Sequence, residues 1–122
     1  MRDLSALPQV HLHVHLESTI RPATLRELAA THGVVLPEKP SAFGGFRAFA
    51  ESNRITRSCL KEPADFVRIA REFCADEAAK GTRYAEVTFT AASHGERLGD
   101  LAMPLESVLK GLSEGGAEHG LE

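Results

Sequence analysis

The sequence predicts an α/β fold in which two parallel strands and their helices form the opening part of a larger domain. Two segments, residues 9–16 and 83–90, alternate apolar and polar side chains, as strands do. In the second segment, Ala85, Val87 and Phe89 share the apolar face. Strands separated by helix-like sequence pair in parallel through right-handed crossovers. Because two strands leave both edges of such a sheet open, we expect residues 1–122 to be a single partial domain.

The first strand is unusual because histidines fill consecutive polar positions. Aliphatic side chains and histidines alternate in the order Val10, His11, Leu12, His13, Val14, His15 and Leu16. Successive strand side chains point to opposite faces, so we expect the three histidines to share one face. An ordinary surface strand would carry lysine, threonine or glutamate there, so three imidazoles indicate a specific role.

Three helices are expected from prolines near a first turn and from apolar periodicity. They run from Pro22 to Gly33, from about Pro63 to Gly81, and from Pro104 to about Gly120. The second is the best supported, because Phe66, Ala70 and Phe73 recur at helical spacing. Residues 91–102 contain glycines and are expected to form a loop long enough to suggest a functional role.

Composition and charge exclude several classes of protein. The 43% hydrophobic and 25% charged content of the 122 residues is that of an ordinary globular protein. A net charge of -3 gives no reason to expect nucleic acid or a membrane as partner. No apolar run approaches the roughly 20 residues of a membrane span, and no secretory signal is evident, so we expect a cytoplasmic protein. Cys59 and Cys74 lack CxxC spacing and are expected to be reduced packing residues.

The histidine strand has the spacing of a metal site. Residues i and i+2 of a strand lie about 6.6 Å apart, so two imidazoles can reach one ion, either His11 with His13 or His13 with His15. Active sites of (β/α)₈ barrels lie at the carboxyl ends of the strands, which favours His13 and His15. His11 would then lie deeper, facing the interior. Hydrogen-bonded core histidines are the alternative, and a catalytic zinc site needs at least one further ligand, which we expect beyond residue 122.

At these residues the chain resembles the adenosine deaminase family of the amidohydrolase superfamily. Residues 7–29 (LPQVHLHVHLESTIRPATLRELA) look like the opening of a family member, and residues 71–90 (REFCADEAAKGTRYAEVTFT) are similar to the helix that leads into its second barrel strand. Residues 43–49 resemble, more loosely, the helix over the substrate pocket. The resemblance spans nearly the whole chain but only about the first third of a member. It implies a (β/α)₈ TIM-type barrel, of which this chain supplies the first two strands and their helices.

The resemblance also implies roles for individual residues. His13 and His15 correspond to two zinc ligands from strand one, and Glu17 to the acidic residue that contacts the substrate's sugar. Adenosine deaminases usually carry aspartate and glycine there, whereas glutamate is similar to the adenine deaminase branch. Glu17 can also be a solvated loop carboxylate. Phe46 and Phe49 correspond to an apolar lid over the substrate, with plain core packing as the alternative.

The function that the resemblance implies is zinc-dependent hydrolytic deamination of a purine nucleoside such as adenosine. Zinc activates a water that attacks the carbon bearing the amine. Adenine or a modified adenosine is an alternative substrate. Another amidohydrolase-type reaction is an alternative chemistry. A third hypothesis is a non-catalytic α/β domain. The family's general acid and remaining ligands match no residue of this sequence, so no catalytic residue is assigned. We expect negligible activity from the 122-residue chain alone.

Overall fold

A computed structural model describes residues 9–36 and 54–122 of the chain. The elements, in order, are β1 (Gln9–His15), a 3-10 helix (Leu16–Thr19), α1 (Pro22–His32), α2 (Pro63–Ala79), β2 (Thr82–Thr88), α3 (Ala91–Leu98) and α4 (Met103–His119). Residues 54–58 are also helical. Within these described ranges, no helix is both long and apolar enough to cross a membrane.

The two strands pair in parallel, as the sequence predicts. The pairing is irregular, because His11 lies opposite Ala85 whereas Val14 lies opposite Val87. Three steps along β1 therefore match two steps along β2, which is a β-bulge. His13 lies in this bulge and has a φ of 61°, the left-handed region that non-glycine residues rarely adopt.

The core lies between the sheet and the helices. Buried residues of α2 supply its centre, and α1, β1 and α4 contribute to its edges; they include Phe66, Ile69, Ala70, Phe73, Leu28, Ala29, Val14 and Val108. The helical spacing that predicted the buried stripe of α2 is confirmed. Ala85 and Val87 of β2, and Phe89 just after it, pack against this core, while Glu86 is exposed on the other face.

Helices α2 and α4 pack closely because glycines replace side chains at their contact. A Cβ on Gly111 would lie 2.6 Å from the Val67 carbonyl oxygen and 2.7 Å from the Ala70 Cβ. Two leucines of α4 are exposed instead, Leu105 at 44% and Leu109 at 54%. The contact therefore depends on backbone approach rather than on large side chains.

The expectation of a loop over residues 91–102 is wrong. Residues Ala91–Leu98 form helix α3, and the left-handed Gly99, with a φ of 76°, ends it. Gly95 suggested flexibility in the sequence, but it is buried, and a Cβ there would lie 2.8 Å from the Leu101 Cα. Here glycine permits a close turn after the helix instead of breaking the helix.

Candidate active site

His13 and His15 lie side by side near the carboxyl end of β1. Their ring centroids are 5.0 Å apart, and the rings meet edge to face at 82°. Both residues are exposed, and no hydrogen bond joins either ring to another of the described residues. Two neighbouring imidazoles whose nitrogens can still bind a ligand fit a shared metal ion. Among residues 9–36 and 54–122, there is no cluster of three or more side chains that could hold a metal ion.

The expectation that all three histidines share one face is wrong, and so is the placement of His11 in the interior. His11 lies opposite Ala85 and His15 opposite Thr88, three residues further along β2, so their side chains lie on opposite faces. The His11 Nδ1 lies 3.0 Å from an oxygen of Glu77, a buried residue of α2. The bulge at His13 causes the change, because one extra residue inverts the alternation. His11 therefore does not share a face of the sheet with His15.

Glu17 lies in the 3-10 helix that follows β1, and one of its carboxylate oxygens accepts several hydrogen bonds. Its Oε2 accepts hydrogen bonds from the Thr90 backbone N–H at 3.2 Å, from the Thr90 hydroxyl, and from the His94 Nε2 at 3.1 Å. Burial raises the pKa of Glu17, but these hydrogen bonds from His94 and Thr90 outweigh burial and lower the pKa to about 2. The carboxylate is therefore ionised across the physiological range.

His94 is completely buried in α3, with aromatic rings on two sides. Its ring stacks on Phe89 at 5.1 Å and meets Phe66 edge to face at 5.2 Å. The guanidinium of Arg97 donates to the His94 Nδ1 at 2.9 Å and to the Leu60 carbonyl at 2.7 Å. Because a guanidinium can only donate, Nδ1 must accept, and the ring proton lies on Nε2 and points at Glu17.

A functional role for His94 was not predicted from the sequence, because the glycines that follow it suggested a loop. A usable signal was present: Thr90, His94 and Arg97 have the spacing of neighbours on one helical face. Glu17 does not stand alone as a solvated loop carboxylate, because its side chain is only 12% exposed. Phe46 and Phe49 lie outside the described residues.

The two histidines lie at the carboxyl end of a parallel strand, which is where (β/α)₈ barrels place their active sites. The family model for adenosine deaminase matches residues 8–122. The chain therefore belongs to the adenosine deaminase family.

Named relatives and solved structures agree with this assignment. A putative adenosine/adenine deaminase of Streptomyces coelicolor is 37% identical over 89% of this chain and 36% of its own length. The crystal structure of adenine deaminase from Arthrobacter aurescens has a TM-score of 0.82 at 25% identity, over 94% of this chain and 37% of its own. A Burkholderia ambifaria amidohydrolase with bound Zn has a TM-score of 0.77 at 24% identity, over 96% of this chain and 34% of its own, and shows the fold alone. The predicted fold class is confirmed, and the chain spans about a third of the length of these proteins.

Proposed function

We propose that these residues, as part of one complete barrel domain, belong to an enzyme that hydrolytically deaminates a purine nucleoside such as adenosine. The observation that carries the proposal is the pair of adjacent imidazoles, His13 and His15, at the carboxyl end of β1. The family match over residues 8–122 supports the reaction class. Adenine and modified adenosines are the alternative substrates, since the Arthrobacter aurescens structure is that of an adenine deaminase.

We propose zinc as the metal that His13 and His15 would hold. Imidazole suits several divalent ions, so the donors alone do not select one. Support for zinc comes from the family match over residues 8–122, since the family resemblance implies zinc at these two histidines. A zinc ion supplies activation of water near neutral pH. The exposure of both rings on the sheet leaves them accessible to an ion and to further ligands.

We propose that Glu17 binds the substrate. It follows β1 directly, so it lies at the same edge of the sheet as the histidine pair. Its Oε2 is held by Thr90 and His94, and lone pairs on its Oε1 can accept a hydrogen bond from a ribose hydroxyl or a purine N–H. Phe46 and Phe49 are proposed to cover the apolar faces of the purine. The net charge of -3 supports a small-molecule substrate rather than nucleic acid.

We also propose a cytoplasmic location. Cys59 and Cys74 are both buried and unpaired with each other, and burial raises the pKa of each thiol. Thiols that remain reduced are the normal state in the cytoplasm and uncommon in oxidising compartments.

The test of the function is an assay of ammonia release by the full-length protein. Adenosine, adenine and N6-methyladenosine are supplied as separate substrates, with and without prior removal of metal by a chelator. We expect deamination of at least one substrate, loss of activity after chelation, and recovery with added Zn²⁺. Hydrolysis of amide or ester substrates with no purine deamination would refute the proposal, as would activity that survives complete metal removal.

A further inference from the structure

We infer that His94, held by Arg97, is a positioning residue that fixes the Glu17 carboxylate for substrate binding. The inference rests on the proposed function and adds a positioning role for His94 to it. Hydrogen bonds run from the Leu60 carbonyl through Arg97 and His94 to Glu17.

A glutamate side chain has several rotatable bonds, so its orientation must be set by contacts. All three donors from Thr90 and His94 reach the same oxygen, Oε2. This arrangement fixes the plane of the carboxylate and leaves Oε1 as the oxygen with the larger capacity to accept from a ligand. Preorganised acceptors of this kind lower the cost of ordering the site when substrate binds.

The orientation of His94 is set in two independent ways. Phe89 and Phe66 hold the plane of the ring, and the ring is 0% exposed. Arg97 determines which nitrogen carries the proton, and the Leu60 carbonyl in turn holds the same guanidinium nitrogen. Both ring nitrogens are thereby hydrogen-bonded, and the N–H of Nε2 is directed at Glu17.

The contacts also link the two strands at the edge where the site lies. Glu17 follows β1, whereas Thr90 and His94 follow β2, so the hydrogen bonds join the two βα connections. A change at His94 is therefore expected to alter the position of Glu17 without touching His13 or His15.

The test is a double-mutant cycle in the full-length protein, read out as KM and kcat for the best purine substrate. His94→Phe keeps an aromatic ring between Phe66 and Phe89 but removes both hydrogen bonds. Glu17→Ala removes the carboxylate. We expect His94→Phe to lower kcat/KM about 10- to 100-fold, mainly through KM, and to retain bound zinc. His94→Gln, which can still donate to Glu17, should recover part of the loss.

The cycle separates positioning from plain structural support. If His94 acts through Glu17, the double variant is no worse than Glu17→Ala alone. Additive losses would overturn the inference and leave the proposed function intact, whereas absence of purine deamination by the unmodified protein would overturn both. If His94→Phe does not fold, Arg97→Leu replaces it in the cycle, and the same two outcomes decide.

Discussion

Two of the three histidine–carboxylate pairs among the described residues have similar chemistry and different surroundings. His94 and Glu17 lie 3.1 Å apart at the carboxyl ends of the strands, and His32 and Asp65 lie 2.7 Å apart between the end of α1 and the start of α2. Both pairs are largely withdrawn from solvent, with side chains at most 12% exposed. Their location, rather than their geometry, separates a candidate functional pair from a structural one.

The other hydrogen-bond donors to Asp65 and Glu17 also distinguish the structural pair from the candidate functional pair. Asp65 accepts hydrogen bonds from the backbone N–H groups of Lys61 and Glu62, and with Glu62 it forms the capping box of α2. Those donors lie immediately before α2, in which Asp65 is the third residue, so the pair stabilises the start of the helix and docks α1 onto it. Glu17 instead takes its donors from a different βα connection, at the edge where a barrel binds its substrate.

Replacing Asp65 should give the largest change in stability. Asp65→Ala removes one of the two hydrogen bonds of the capping box of α2 and leaves His32 without its carboxylate. We expect the free energy of unfolding to fall by about 2–4 kcal/mol. Denaturant unfolding of the full-length protein measures this loss. The KM for substrate should stay within about twofold, and a large KM change would break the distinction between the two pairs.

The hydrogen bonds that Glu17 accepts from Thr90 and His94, here called the Glu17 network, should make a smaller, pH-dependent contribution to the free energy of unfolding. The pKa of Glu17 is lowered from 4.5 to about 2 in the folded chain, so its stabilisation is present above pH 4.5 and is lost as the pH falls toward 2. We expect a loss of about 1–3 kcal/mol over that range, reduced by partial exposure to solvent. The curves of unfolding free energy against pH for metal-free wild type and Glu17→Gln should lie closer together at pH 3 than at pH 6. Parallel curves would show that Glu17 contributes no such stabilisation.

The smallest effect is expected at an exposed pair on the same helix. Asp76 on α2 receives a two-nitrogen contact from Arg21, with side chains 37% and 43% exposed. Because solvent screens such pairs, Asp76→Ala should lower the free energy of unfolding by less than about 1 kcal/mol. It is the matched control for Asp65→Ala, and an equal loss at both positions would show that burial does not separate them.

The spacing of apolar residues that are close in sequence predicted helix α2 and strand β2. The stripe of Phe66, Ala70 and Phe73 defines α2, and the alternation in the second segment defines β2, because periodicity reports burial directly. The β-bulge was not predictable, since the positive φ of His13 arises from pairing with a distant strand. Glycine was misleading at Gly95, where it serves a close contact rather than a loop.

The site was predicted in the same uneven way. His13 and His15 were predicted as ligands from strand spacing and barrel polarity, because two ligands from one strand are close in sequence, and this stays a prediction. His94 was not found, because its partner Glu17 is 77 residues away and only the fold brings them together. The sequence contains the three residues of the Glu17 network, but nothing in their spacing relates Glu17 to Thr90 and His94.

Zinc analysis of histidine variants tests the central claim most directly. The full-length protein and the variants His13→Ala, His15→Ala and His119→Ala would be purified and their bound zinc measured by elemental analysis. His119 ends α4, away from the strand, and serves as the matched control. We predict about one zinc ion per chain in wild type and His119→Ala, and at least a tenfold loss of zinc affinity in each strand variant. Full zinc content in His13→Ala and His15→Ala would contradict the account.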